Sequence, residues 1–175
     1  MNNNKSLKGI LILFLSVFFI SLAGGQSAYI PPDKPKLVVG IVVEQLRYDQ
    51  LEKFRNRFGE NGIRKLLNEG TYFQNASYNY ILTQSAPGHA TIATGAEPSV
   101  HGITSDDWYV PLKDELINCT RDLSVAPVGG SFESGFHSPV NLHSSTFSDE
   151  LKMMTNKRAK VFAVGMKESP VIFSA

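Results

Sequence analysis

Two uninterrupted apolar runs limit what this chain can fold into. Leu37-Val38-Val39-Gly40-Ile41-Val42-Val43 and Lys160-Val161-Phe162-Ala163-Val164-Gly165 are continuous rather than alternating. A strand with one wet face alternates apolar and polar residues, whereas a strand covered on both faces does not. The runs therefore predict strands of a parallel sheet, and with the helical patterns between them an α/β arrangement. Glu44 stands at the carboxyl end of the first run, and Lys167 follows the second. Ligands of open α/β sheets gather at the carboxyl ends of strands, and Glu44, Ser85 and Lys167 would all lie at such ends, so three polar groups meeting on one edge are candidates for a site.

Between the runs, Leu51, Phe54 and Phe58 recur at helical spacing. Gly59 to Gly62 interrupts them, and Ile63, Leu66 and Leu67 resume the period up to Gly70, a predicted C-cap. Thr71 to Leu82 reads as a strand or extended segment, with Tyr72, Phe73, Tyr78 and Tyr80 as packing residues. Ala86 to Thr94 predicts a short helix closed by Gly95. Glu97 to Leu142 is dense in Gly, Pro, Ser and Asp and reads mostly as loop or hairpin, with short strands at Trp108–Val110 and Leu116–Thr120. Thr146, with Asp149 three residues on and a Phe147, Leu151, Met154 stripe, predicts a capped helix to Asn156.

The first 25 residues read as a secretory signal peptide. Lys5 and Lys8 precede an apolar stretch from Gly9 to Leu22, and the small residues Ala23 to Ala28 follow. That stretch is short of the ~20 residues of a membrane span, so no stable span is expected after cleavage. Residues 26–36, with Pro31, Pro32 and Pro35, read as a linker, and 37–175 as the folded part. The expected location is periplasmic or secreted. Cys119 is the single cysteine, so there is no disulfide framework, and it reads as a buried or incidental thiol. The net charge of +1 and the lack of a basic tract argue against nucleic acid as a partner.

Ser85-Ala86-Pro87-Gly88-His89-Ala90 carries the chemistry. A hydroxyl at a helix entrance sits beside unpaired amides and the positive end of the helix dipole, a setting that receives an anionic phosphoryl group. A plain helix-capping serine is the simpler alternative reading of Ser85. His89 reads as structural.

The segments Val38 to Asp49 and Ser85 to Ala90, continued by Thr94-Gly95, Pro98, His101-Gly102-Ile103, Trp108-Tyr109 and Ser138-Pro139, carry a family resemblance. The chain resembles the type I phosphodiesterase/nucleotide pyrophosphatase branch of the alkaline phosphatase superfamily. Within it, the chain is most similar to exported bacterial alkaline phosphatases with a Thr nucleophile. The resemblance implies the N-terminal portion of an alkaline-phosphatase-like sheet with helices on both faces. It implies an exported phosphoester hydrolase that uses two zinc ions and a covalent phospho-enzyme, with a phosphate ester as substrate. Ser85 takes the nucleophile position and Glu44 a zinc-ligand position that is Asp in the family. Asp106 takes a substrate-binding position that is Asn in the monoesterases. Lys167 takes that of the phosphate-binding Lys, and Ser169 stands where the subgroup has Arg. An ionised Asp cannot donate to a phosphoryl oxygen, and losing the Arg removes a bidentate clamp. The family's other zinc ligands lie downstream of the Lys167 segment, so the 175-residue chain is expected to be inactive alone.

Two other readings compete. One is a non-catalytic exported module that retains the front half of the fold. The other is sulfatase-type chemistry, which expects an Arg where this chain has His89.

Overall fold

The computed structural model describes residues 35–132 and 135–175. The signal-peptide reading and nearly all of the linker lie outside those residues. The chain divides into two compact units, one ending at Val42 and the other spanning Val43–Ala175.

Of the first unit, residues 35–42 are described. They run without regular structure, and Leu37, Val38, Val39 and Ile41 are exposed. The expected strand therefore has no ladder here. The same holds for residues 160–165, where Phe162 and Val164 are exposed. A parallel strand exists only through hydrogen bonds to its neighbours. Among the described residues the only sheet is a two-stranded antiparallel hairpin.

The second unit begins with α1 (Tyr48–Phe54), which tightens into a 3-10 turn at Arg55–Arg57. Gly62, in the left-handed region, turns the chain into α2 (Ile63–Glu69), and the Gly70 amide closes it on the Leu66 carbonyl at 2.9 Å. Neither helix buries a residue fully. The segment from Thr71 to Leu82 contains turns and no strand. Tyr80 nevertheless packs as expected, with its hydroxyl 2.9 Å from Thr91 Oγ1.

Next come α3 (Ser85–Thr94) and α4 (Pro98–His101). Gly95 ends α3 in the left-handed conformation, its amide 2.8 Å from the Thr91 carbonyl. Helix α4 was hidden in what reads as loop, although Pro98 at its first turn and left-handed Gly102 after it are ordinary helix boundaries. Gly102 has φ +84°, and a Cβ there would stand 2.9 Å from His143 Nδ1. The hairpin follows as β1 (Asp107–Val110) and β2 (Glu115–Asn118), pairing Asp107 with Asn118 and Val110 with Glu115. Helix α5 (Phe147–Met154) carries the expected capping box: Thr146 Oγ1 accepts the Asp149 amide at 3.1 Å, and Asp149 Oδ2 accepts the Thr146 amide at 2.9 Å. Its apolar stripe is exposed rather than buried. Helix α6 (Glu168–Ser174) ends the chain and has no sequence forecast.

The core lies between α3 and α6. Ala86, Ala90 and Ala93 fall on one face of α3 and are fully buried with Ile103, Cys119 and Phe173. Three small residues at this spacing let α6 approach closely and seat the Phe173 ring. Trp108, Leu142 and Ile172 pack around the cluster. Fully burying one such aromatic ring stabilises the fold by about 1.5–3 kcal/mol. This packing fixes where α6 begins, and so where Lys167 stands.

Candidate functional site

Ser85 is the first residue of α3. Gln84 holds the cap position and makes no side-chain cap bond. The Ser85 hydroxyl is not used as a helix cap. It donates to Glu44 Oε1 at 2.5 Å and accepts from Lys167 Nζ at 3.1 Å. Ser85 is half-buried, whereas Glu44 and Lys167 are exposed. Glu44 lies in a turn beside Gln45, whose φ of +60° is left-handed and bends the chain sharply there. Lys167 is the residue that caps α6, so the core contact between α3 and α6 delivers it to Ser85.

His89, one helical turn beyond Ser85, reaches the same carboxylate oxygen. Its Nε2 lies 3.3 Å from Glu44 Oε1. The sequence reads His89 as structural, hydrogen-bonding the loop, ahead of a catalytic role. The i, i+4 spacing from Ser85 is the signal that could have linked the two. The Ser85 hydrogen bond lowers the Glu44 carboxyl below its ordinary pKa of 4.5. Partial desolvation opposes that shift, while the Lys167 charge and the His89 hydrogen bond and charge reinforce it. Glu44 is therefore ionised at neutral pH and accepts the Ser85 hydrogen bond as a carboxylate.

Asp106 stands on the other side of the helix entrance. Its Oδ1 accepts the Ala86 amide at 2.7 Å. Gln84 Oε1 holds the Asp106 segment in place, accepting from the Asp106 amide at 3.0 Å and from Ser105 Oγ at 2.7 Å. Ser169 is buried in the first turn of α6.

The other histidines serve the framework. His101 is fully buried and accepts the Ile103 amide on Nδ1 at 3.1 Å, so Nε2 carries its proton toward Thr91 Oγ1 at 3.2 Å. His137 Nδ1 is 2.8 Å from Thr120 Oγ1, and the His143 amide donates to the His101 carbonyl at 3.0 Å. Cys119 is buried, and desolvation with help from Asp106 and Asp107 pushes its thiol up to about 11. It is an inert core residue.

Oxygen donors suit a hard or borderline cation, and Glu44 and Ser85 put two on one spot. They fit as part of a zinc site, which takes about four ligands. Among the described residues no group of three or more His, Cys, Asp or Glu side chains converges further. No helix among those residues is long and apolar enough to cross a membrane.

Residues 38–167 match the family described as type I phosphodiesterase / nucleotide pyrophosphatase. The chain belongs to that family. A relative named calcium-transporting ATPase from Myroides odoratus is 43% identical over 143 residues, which are 82% of this chain and 26% of the relative. The alkaline phosphatase PafA of Elizabethkingia meningoseptica is 41% identical over 163 residues, 92% of this chain and 30% of its own length. The crystal structure of wild-type PafA superposes with a TM-score of 0.78 at 42% identity, over 81% of this chain and 27% of that one. The chain thus shares the alkaline phosphatase fold over a partial region. It spans about 26–30% of the length of these curated relatives.

Proposed function

We propose that this chain carries the nucleophile end of an exported phosphoester hydrolase site, with Ser85 as the attacking group. One observation supports the reading above others: the Ser85 hydroxyl lies between a carboxylate that accepts its proton and an ammonium that donates to its oxygen. A serine hydroxyl is a weak nucleophile at its ordinary pKa and needs such activation. As Ser85 Oγ forms its bond to phosphorus, its proton passes to Glu44. The ester P–O bond breaks, and the leaving alkoxide takes a proton from solvent. Water then attacks the phosphoserine and loses a proton to solvent, while Glu44 returns its proton to the departing Ser85 Oγ, so phosphate is released and both side chains are restored. Lys167 stabilises the negative charge developing on Ser85 Oγ. His89 holds the Glu44 oxygen in line.

Zinc held by Glu44 and Ser85 would supply a Lewis acid that lowers the proton affinity of the hydroxyl. The reading carries with it the family's larger sheet, with helices on both faces, in which the runs at 37–43 and 160–165 would be strands. Export to the periplasm or beyond is part of the same proposal and rests on the leader-like N-terminus.

A fluorophosphonate probe tests the nucleophile without requiring turnover. Attack forms an Oγ–P bond and expels fluoride, and mass spectrometry maps the modified residue. We expect one phosphonylated serine, Ser85, and none in Ser85→Ala. Labelling spread evenly over exposed serines, or absent at Ser85, supports the non-catalytic module instead.

A further inference from the structure

We propose that Asn61–Gly62, in the turn between α1 and α2, is a site of spontaneous covalent modification, where the asparagine converts to aspartate and isoaspartate through a cyclic imide. The proposal is independent of the site at Ser85. The backbone nitrogen that follows an asparagine can attack the side-chain carboxamide carbon and close a ring. A Cβ on the following residue crowds that approach. A hydrogen bond from the attacking amide, or bonds that hold the carboxamide, also prevent it.

None of these obstacles stands at Asn61. Gly62 has no Cβ, and no other atom lies within 4 Å of where one would be. Its φ of +73° belongs to the region that favours glycine. Both residues are exposed in the turn. Among the described residues, neither the Gly62 amide nor the Asn61 carboxamide makes a hydrogen bond. The other described asparagines are shielded. Asn156 is also exposed and left-handed, but the next amide, of Lys157, donates to the Lys152 carbonyl at 2.7 Å. Asn75 precedes Ala76, which carries a Cβ. Asn79 Nδ2 donates to Glu97 Oε1 at 2.5 Å, Asn118 Nδ2 to Asp107 Oδ1 at 2.9 Å and Asn141 Nδ2 to the Cys119 carbonyl at 3.0 Å. Asn56 and Asn68 lie inside helical turns.

The reaction needs only water and its ions. Hydroxide takes the Gly62 amide proton, the nitrogen bonds to Asn61 Cγ, and the Cγ–Nδ2 bond breaks as Nδ2 gains a proton from water and leaves as ammonia. Water then opens the imide. Addition at Cγ leaves aspartate on an ordinary backbone. Addition at the main-chain carbonyl leaves isoaspartate, with the backbone routed through Cγ and one methylene longer just ahead of Gly62, the N-cap of α2. Both products place a new negative charge before a helix whose first turn holds no acidic residue.

Peptide mapping of the folded 175-residue chain after incubation at mildly alkaline pH tests the proposal. We expect Asn61 to lose its amide nitrogen at least about tenfold faster than Asn75 or Asn156. The rate should follow hydroxide concentration, and both the aspartate and the isoaspartate peptide should form. Hydroxylamine, which captures the imide, should split the native chain between Asn61 and Gly62. Gly62→Ala restores a Cβ and should slow conversion at least about tenfold; the native-chain readouts stand without this variant. Conversion at Asn61 no faster than at Asn75 or Asn156, aspartate formed without isoaspartate, or an undiminished rate in Gly62→Ala would overturn the proposal.

Discussion

At the scale of single residues, the arrangement depends on which groups are charged. Buried His101 illustrates the opposite case to Glu44. Desolvation holds its imidazole below the ordinary value of 6.5, and the Ile103 amide requires Nδ1 to stay unprotonated. Between the folded and unfolded pKa values the unfolded chain binds more protons. Stability is therefore complete above about pH 6.5 and is lost as pH falls through the lower, folded value. Glu44 adds its own loss only below 4.5, in a separate window. Urea unfolding at about pH 7.5 and pH 5.5 should show the decline in the native protein, with a much smaller one in His101→Gln. Parallel declines in both proteins would show that His101 is not the group responsible. The same neutral imidazole orients a hydrogen-bond chain: Nε2–H to Thr91 Oγ1, Thr91 to the Tyr80 hydroxyl, and Tyr80 to the Pro87 carbonyl at 3.4 Å. That chain braces the first turn of α3 immediately behind Ser85.

At the scale of elements, the contact between α3 and α6 decides whether a site exists. Ser85 and Lys167 are 82 residues apart, and they meet because Phe173 sits against the alanine face of α3. Phe173→Ala should cost about 3–5 kcal/mol in equilibrium unfolding. A loss under about 1 kcal/mol would mean that this ring does not hold the two helices together. Local signals made α3 legible, since a helix ending at left-handed Gly95 follows from composition alone. The capping box of α5 was equally plain. Helix α6 was not, because Pro170 and two serines in seven residues give it poor intrinsic propensity. Tertiary packing makes it a helix, and packing over long sequence distances leaves no mark in local spacing. Strand-end and helix-entrance reasoning brought Glu44, Ser85 and Lys167 to one edge and family resemblance added Asp106, while the actual contacts and the part played by His89 needed coordinates.

At the scale of the whole molecule, the apolar runs at 37–43 and 160–165 mark where burial pattern and structure part. Their composition suits strands covered on both faces, yet neither pairs with another strand among the described residues. Continuous apolar character states what a segment needs and does not supply the neighbours that satisfy it. The described fold is instead held by the compact α3–α6 core, which ends in the triad of Glu44, Ser85 and Lys167. If those two partners activate Ser85, its reactivity must depend on them and not merely on exposure. The most direct measurement is the first-order rate of Ser85 phosphonylation in the native chain, Glu44→Gln and Lys167→Met. The account predicts that each substitution slows labelling at least about tenfold, a barrier change of about 1.4 kcal/mol. Rates unchanged in both variants would contradict it.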